Sequence, residues 1–260
     1  MIKITVLHNE LDKFIDEYSG FSLLIELEKI KILFDVSFSD EILTNAKKGN
    51  INLNNINYLA LSHGHIDHTE GLKFIDFSHI KNLVAHPDCF QKKYFEGEGE
   101  IGAPLNLEEL KLKTNIILSQ KPYWIKKNEI VFLGEIPRTY SFEGKTPVGY
   151  LKTGEKDFVL DDSAIVINSN KGLIIISGCS HSGICNIIEY AKKVTKKNKI
   201  FTVIGGFHLF NKKQTDKTID YFKIQDINKI YTAHCLDDYA FSEFNKIGAK
   251  KITTLQQINL

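Results

Sequence analysis

Ser62-His63-Gly64-His65-Ile66-Asp67-His68 places three imidazoles and one carboxylate within a single short stretch. It follows Ile56-Asn57-Tyr58-Leu59-Ala60-Leu61, an apolar, partly β-branched and aromatic run that predicts a buried strand. Any fold open to this chain must therefore hold four polar groups together at the end of a buried strand. His and Asp at such density suit divalent transition metals. Imidazole suits Zn, Fe and Ni, and a carboxylate adds charge and a harder oxygen. His63 and His65 are two apart, so in an extended segment they point the same way. Gly64 permits a tight turn that could bring Asp67 and His68 round to a neighbouring point. One ion could take His63 and His65, and a second Asp67 and His68.

The same grammar of apolar strand, histidine and helix recurs down the chain. Ala164-Ile165-Val166-Ile167 and Leu173-Ile174-Ile175-Ile176 predict a hairpin buried on both faces. Its second strand leads into Gly178-Cys179-Ser180-His181, and a helix is expected over 183–197. The run 200–204 predicts a strand ending at Gly205-Gly206-Phe207-His208, and 229–233 a strand ending at His234. Helices are expected over 39–48, 70–76, 215–222 and 237–247, with strands over 2–7, 21–27, 31–35, 82–85 and 250–254. A lone histidine at a strand end is usually a cap or a core residue. Four such strand ends point to one pocket, since ligand sites in layered α/β folds gather at these edges. The stretch 87–122 predicts little beyond a glycine-bearing loop near 97–102, and Trp124 is expected in the core.

Composition narrows the function. A charge of +1 from 33 basic and 32 acidic side chains gives no reason to expect nucleic acid or a membrane surface as partner. No apolar run reaches the ~20 residues that span a bilayer, and the N-terminal residues read as a first strand and not as a signal peptide. Four scattered cysteines do not make a disulfide framework. A cytoplasmic protein with one domain over 1–260 is expected. No linker is visible near Gly144, Pro147 and Gly149. The oligomeric state is open.

The 62–68 stretch resembles the HxHxDH signature of the metallo-β-lactamase fold superfamily. Leu33-Phe34-Asp35, Gly134-Glu135-Ile136-Pro137-Arg138, Asp161-Asp162, Gly178-Cys179-Ser180-His181-Ser182-Gly183, Gly205-Gly206-Phe207-His208 and Ala233-His234-Cys235 extend the resemblance over nearly the whole chain. Within the superfamily it is similar to the branch of metal-dependent hydrolases and dihydropterin-ribofuranosylaminobenzene-phosphate synthase-like proteins. Val36-Ser37 departs from the Thr-Gly or Ser-Gly usual after the aspartate.

The resemblance implies an α/β fold, a four-layer αββα sandwich of two mixed sheets with outer helices. It implies two divalent ions, zinc first, with manganese or iron as alternatives. His63, His65 and His181 would hold one ion, and Asp67, His68 and His234 the other. Asp35 would orient the ligand loop from behind. Asp67 and His208 would act in catalysis, and His208 and Arg138 would contact a small anionic substrate. Whether Cys179, Asp162 or His208 supplies an extra or bridging ligand stays open. The expected activity is hydrolysis of a phosphoester or lactone by metal-bound hydroxide. The alternatives are a transferase of the dihydropterin synthase type and an iron-bearing redox or binding protein.

Overall fold

A computed structural model describes residues 1–10 and 20–260. The chain forms two compact units. One comprises Met1–Ser119, Gly149–Asp157 and Thr253–Leu260; the other Gln120–Val148 and Phe158–Ile252.

The first unit is built on a seven-stranded sheet. Its strands run in the order Gln257–Asn259, Ile2–Glu10, Gly20–Leu27, Ile30–Phe34, Tyr58–Ala60, Asn82–Ala85 and Asn115–Leu118. The pairs up to Ile30–Phe34 are antiparallel and the rest parallel. The register lines Leu24, Leu33, Leu59 and Leu83 into one cross-strand row. This row packs into a core with Ile42 and Ala46 of the helix Glu41–Lys48. Phe34, Ala60 and Val84 form the adjacent row and are equally buried. That is why these strands read as continuous apolar runs and not as alternating ones. A small second sheet in this unit has the order Tyr150–Leu151, Lys93–Phe95, Gly99–Glu100.

The second unit carries a seven-stranded sheet in the order Lys250–Lys251, Ile227–Thr232, Ile200–Gly205, Gly172–Ser177, Ala164–Ser169, Ile130–Phe132 and Tyr123–Lys126. Val131, Val166, Ile175, Val203 and Ile230 form one row across five of these strands and lie in one core cluster. The helix Ile184–Thr195 buries Ile184, Ile187, Ile188 and Ala191, the spacing of one helical face. Lys212–Ile224 buries Thr215, Thr218, Ile219 and Phe222 at the same spacing. The parallel strands Gly172–Ser177, Ile200–Gly205 and Ile227–Thr232 all end at the segments that carry its histidines.

Several sequence expectations change. The helix expected over 70–76 begins at Ile66, as an α-turn Ile66–Thr69 followed by the 3-10 turn Glu70–Lys73. Asp67 and His68 therefore sit in a helical turn and not in the loop before it. Asp40 holds the N-cap position of Glu41–Lys48 without a side-chain cap bond; the Ser39 amide donates instead to Glu70 Oε2 at 3.1 Å. The region 87–122 is structured. It holds the helix Leu107–Lys111, closed by a reciprocal Asn106–Glu109 capping box, and the strand Asn115–Leu118. The glycine loop near 97–102 is largely one arm of the small sheet, with Tyr94 opposite Glu100. The last strand stops at Lys251, and Gln257–Asn259 joins the first sheet, with Ile258 opposite Ile4. A three-residue strand with one buried side chain is too short to show a period. Trp124 packs half-buried against the second core. No helix among the described residues is long and apolar enough to cross a membrane.

Candidate metal centre

In the first unit the site grows out of Asp35. The parallel register sets Phe34 beside Ala60, and the Asp35 amide continues the ladder to Ala60 O at 2.9 Å. Asp35 then turns with φ +56°, a left-handed conformation that aspartate tolerates better than most residues. Its carbonyl accepts from Ser22 Oγ at 2.8 Å. Asp35 Oδ1 accepts from the Ser62 amide at 2.7 Å, and Oδ2 from Ser62 Oγ and His68 Nδ1, each at 2.7 Å. All three side chains are buried.

This network sets which imidazole nitrogen carries the proton. The Ser62 hydroxyl has one proton, which goes to Asp35, so its oxygen accepts from His63 Nδ1 at 2.9 Å. His68 Nδ1 likewise carries its proton toward Asp35. In both rings Nε2 keeps its lone pair. His63 Nε2 lies 3.1 Å from His65 Nδ1, near the edge expected between two nitrogens on one tetrahedral ion with Zn–N of ~2.0–2.1 Å. A carboxylate oxygen of Asp67 falls with one ring nitrogen each of His63 and His65 in a group whose atoms all lie within 4.8 Å of one another. Asp67 Oδ2 is also 3.5 Å from His68 Nε2. Asp67 is thus near all three histidines, whereas spacing alone had paired it with His68.

Gly64 has a reason other than turn freedom. A Cβ there would stand 1.9 Å from Cys89 O, so the residue is small because another backbone passes against it. Thr69 Oγ1 donates to His65 O at 2.8 Å and closes the turn. His86 is fully buried, and its Nδ1 accepts from the Asp88 amide at 3.1 Å.

In the second unit Asp162 repeats the device. Its Oδ2 accepts from the Ser182 amide at 2.9 Å and also from Ser182 Oγ, which fixes the peptide just after His181. Ser180, on the other side, has φ +62° and donates from Oγ to Gly206 O at 2.7 Å. Burial pushes the Asp162 carboxyl up to about 6, against the pull of Ser182 and Arg138. The three strand ends are stitched together. The Gly206 amide donates to Gly178 O at 2.8 Å, the Ala233 amide to Gly205 O at 2.9 Å, and the His208 amide to Cys235 Sγ at 3.3 Å. The rings of His181 and His208 lie 4.3 Å apart. His181 and His234 are buried; His208 is half-buried, and its Nδ1 has no hydrogen-bond partner among the described residues. Arg138 Nη2 donates to the carbonyls of Phe158 and Val159.

A family profile described as the metallo-beta-lactamase superfamily matches residues 15–192. The chain belongs to this superfamily. It is 37% identical, over its whole length and 95% of the relative, to the uncharacterized protein MJ0448 of Methanocaldococcus jannaschii. It is 36% identical to the 7,8-dihydropterin-6-methyl-4-(beta-D-ribofuranosyl)-aminobenzene-5'-phosphate synthase of the same organism, over 83% of this chain and 80% of that one. The solved structure of Tm1679, a metal-dependent hydrolase of the beta-lactamase superfamily, shares 27% identity with a TM-score of 0.83. It covers 100% of this chain and 99% of its own. The fold class is the expected one, the mixed-sheet αββα type of the metallo-β-lactamase superfamily.

This fold implies binding of divalent metal, and the residues fit such an ion. The first unit alone brings three imidazoles and a carboxylate together, with two of the rings in ligand-ready tautomers.

Sequence reasoning missed the residues that hold the metallo-β-lactamase histidines in place. Ser62 and Ser182 are the proton-donating halves of the two clamps. Glu143 was missed as well: its Oε1 accepts from the Asn186 amide at 2.6 Å and its Oε2 from the Cys185 amide at 3.3 Å. It thereby caps the helix Ile184–Thr195 from a distant loop, at a Gly183 whose Cβ would strike it. Burial pushes the Glu143 carboxyl up to about 7, although the bonds from Asn186 and Cys185 pull it down. Asn186 Oδ1 in turn accepts from the amides of Thr139 and Tyr140 at 2.9 and 3.0 Å. Ser62, Asp162 and Ser182 stand within the sequence motifs with nothing to mark their role, and Glu143 and Asn186 stand in none of them.

Proposed function

We propose that the protein is a metal-dependent hydrolase acting on a small anionic substrate such as a phosphoester or lactone. It would use two divalent ions, zinc first, and work in the cytoplasm. The observation that carries this reading is the 3.1 Å approach of His63 Nε2 and His65 Nδ1 beside an aspartate-fixed His68. His63, His65 and His181 would hold one ion and Asp67, His68 and His234 the other; this pairing rests on family resemblance. When bound, such ions act as Lewis acids and lower the pKa of water from ~15.7 to near ~7.

The chain's own groups supply the rest. Asp67, partly exposed on a fixed helical turn, accepts a hydrogen bond from the attacking water and orients it. Asp35 keeps His68 and, through Ser62, His63 in one tautomer, so no ring flip precedes binding. His208, whose Nδ1 has no partner among the described residues, donates a proton to the leaving oxygen. Arg138 contributes its charge from a fixed place, because Nη2 is already tied to two carbonyls.

A second reading is a transferase of the dihydropterin synthase type, supported by the 36% identity to the protein of that name. Protein purified without chelator should be analysed for metal and then assayed in two ways. Phosphodiesters and lactones are offered with water alone, and a diphosphate ester with an arylamine acceptor. Turnover only in the first assay supports hydrolysis, and amine-dependent release of diphosphate supports transfer. In the active assay His208→Ala should lower kcat about 10²-fold or more while the metal content stays unchanged.

A further inference from the structure

Lys93 and Asp157 form an ion pair in the first unit, with Nζ and Oδ2 3.1 Å apart and exposures of 1% and 3%. A buried pair of this kind is weak evidence for stability, because desolvating both charges offsets their attraction. Its geometry is the more informative feature. Lys93 lies opposite Leu151 in the small sheet, and the Lys152 amide donates to Lys92 O at 3.0 Å. The segment is closed on itself by the Asp157 amide, which donates to Gly149 O at 3.0 Å. Gly149, at φ +82°, is held so close that a Cβ would lie 2.1 Å from Tyr94 O. On its other side Lys93 O accepts from the Ile101 amide at 2.8 Å, and Ile101 O accepts from the Ile66 amide at 2.8 Å. His65 forms a bridge with Gly102. A short ladder thus runs from Asp157 through Lys93 and Ile101 to the backbone of His65 and Ile66.

We propose that Lys93 and Asp157 are positioning residues for the metal site, coupling the 149–157 segment to the histidine turn through this ladder. The inference rests on the metal-binding reading of that turn. Both side chains are buried. Their work is to hold the 93–102 arm so that His65 presents Nδ1 toward His63. Because coupling between two sites is reciprocal, an ion bound at the turn must also steady the 149–157 segment.

Amide hydrogen exchange on the full chain, with and without zinc, tests this. Zinc should slow exchange at Ile66 and Ile101 and, with them, at Lys152 and Asp157. Protection of Ile66 with no change at Lys152 and Asp157 would overturn the inference. Failure to take up zinc at all would overturn the site reading and the inference together. The double variant Lys93→Met/Asp157→Leu removes both charges of the pair together. It should melt close to the native protein yet bind zinc about 10-fold more weakly, the size of effect seen for residues behind a metal ligand. Zinc affinity equal to that of the native protein would count against a positioning role.

Discussion

Asp35 in the first unit and Asp162 in the second use the same handshake, each accepting from the amide and hydroxyl of a serine beside a histidine. They differ in what is left over. Asp35 also takes His68 Nδ1, so both its oxygens work and two imidazoles depend on it. Asp162 uses Oδ2 for both bonds, while Oδ1 has no partner among the described residues. Its carboxyl is accordingly pushed up to about 6 by burial. An idle acceptor in the dry interior leaves desolvation less opposed, which favours the neutral form of the Asp162 carboxyl.

The sharpest way to break this contrast is to remove each carboxylate. Asp35→Ala strands the Ser62 amide and His68 Nδ1 in the core and should destabilise the protein by about 3–5 kcal/mol. Zinc affinity should fall about 100-fold, as measured by chelator competition beside thermal melts. Asp162→Ala touches no imidazole directly and should weaken zinc about 10-fold at most. Equal losses in the two variants would show that the clamps are equivalent.

The pH dependence sharpens the same difference. Asp162 and Glu143 both hold their protons to higher pH in the folded chain than in the unfolded one. Their contribution to stability is therefore fully present below the unfolded values, 3.8 and 4.5, and is lost as pH rises through about 6 and about 7. Glu143→Gln keeps an acceptor for the Asn186 amide and cannot ionise. Between pH 4.5 and about 7 it should lose less stability than the native protein, by on the order of 2 kcal/mol. Denaturant titrations across that range check it. The smallest effect is expected from the serines. Ser62→Ala and Ser182→Ala should each cost about 1 kcal/mol, but only the former, which frees the His63 tautomer, should also change zinc affinity.

Much of the architecture was legible because buried parallel strands are long apolar runs, as at 173–176 and 200–204, and because helices such as Ile184–Thr195 carry a clear apolar face. The strand Gln257–Asn259 was not legible. It has one buried side chain, and its place is set by pairing with Ile2–Glu10, some 250 residues away in the chain. His63, His65, Asp67 and His68 were visible as a cluster because their density is hard to reconcile with a solvated loop. Ser62, Ser182, Glu143 and Asn186 were not visible. They are common polar residues whose importance comes only from which amide or ring they meet.

From its residues alone, then, this chain is committed to layered α/β sheets ending in histidines, because periodicity and ligand chemistry are local properties of the sequence. Which nitrogen of His63 and His68 carries the proton, which carboxyl is driven toward neutrality and why Lys93 is buried were settled by contacts between distant segments. Those contacts depend on register and burial. Both arise only once the strands have paired and water has been displaced from between them.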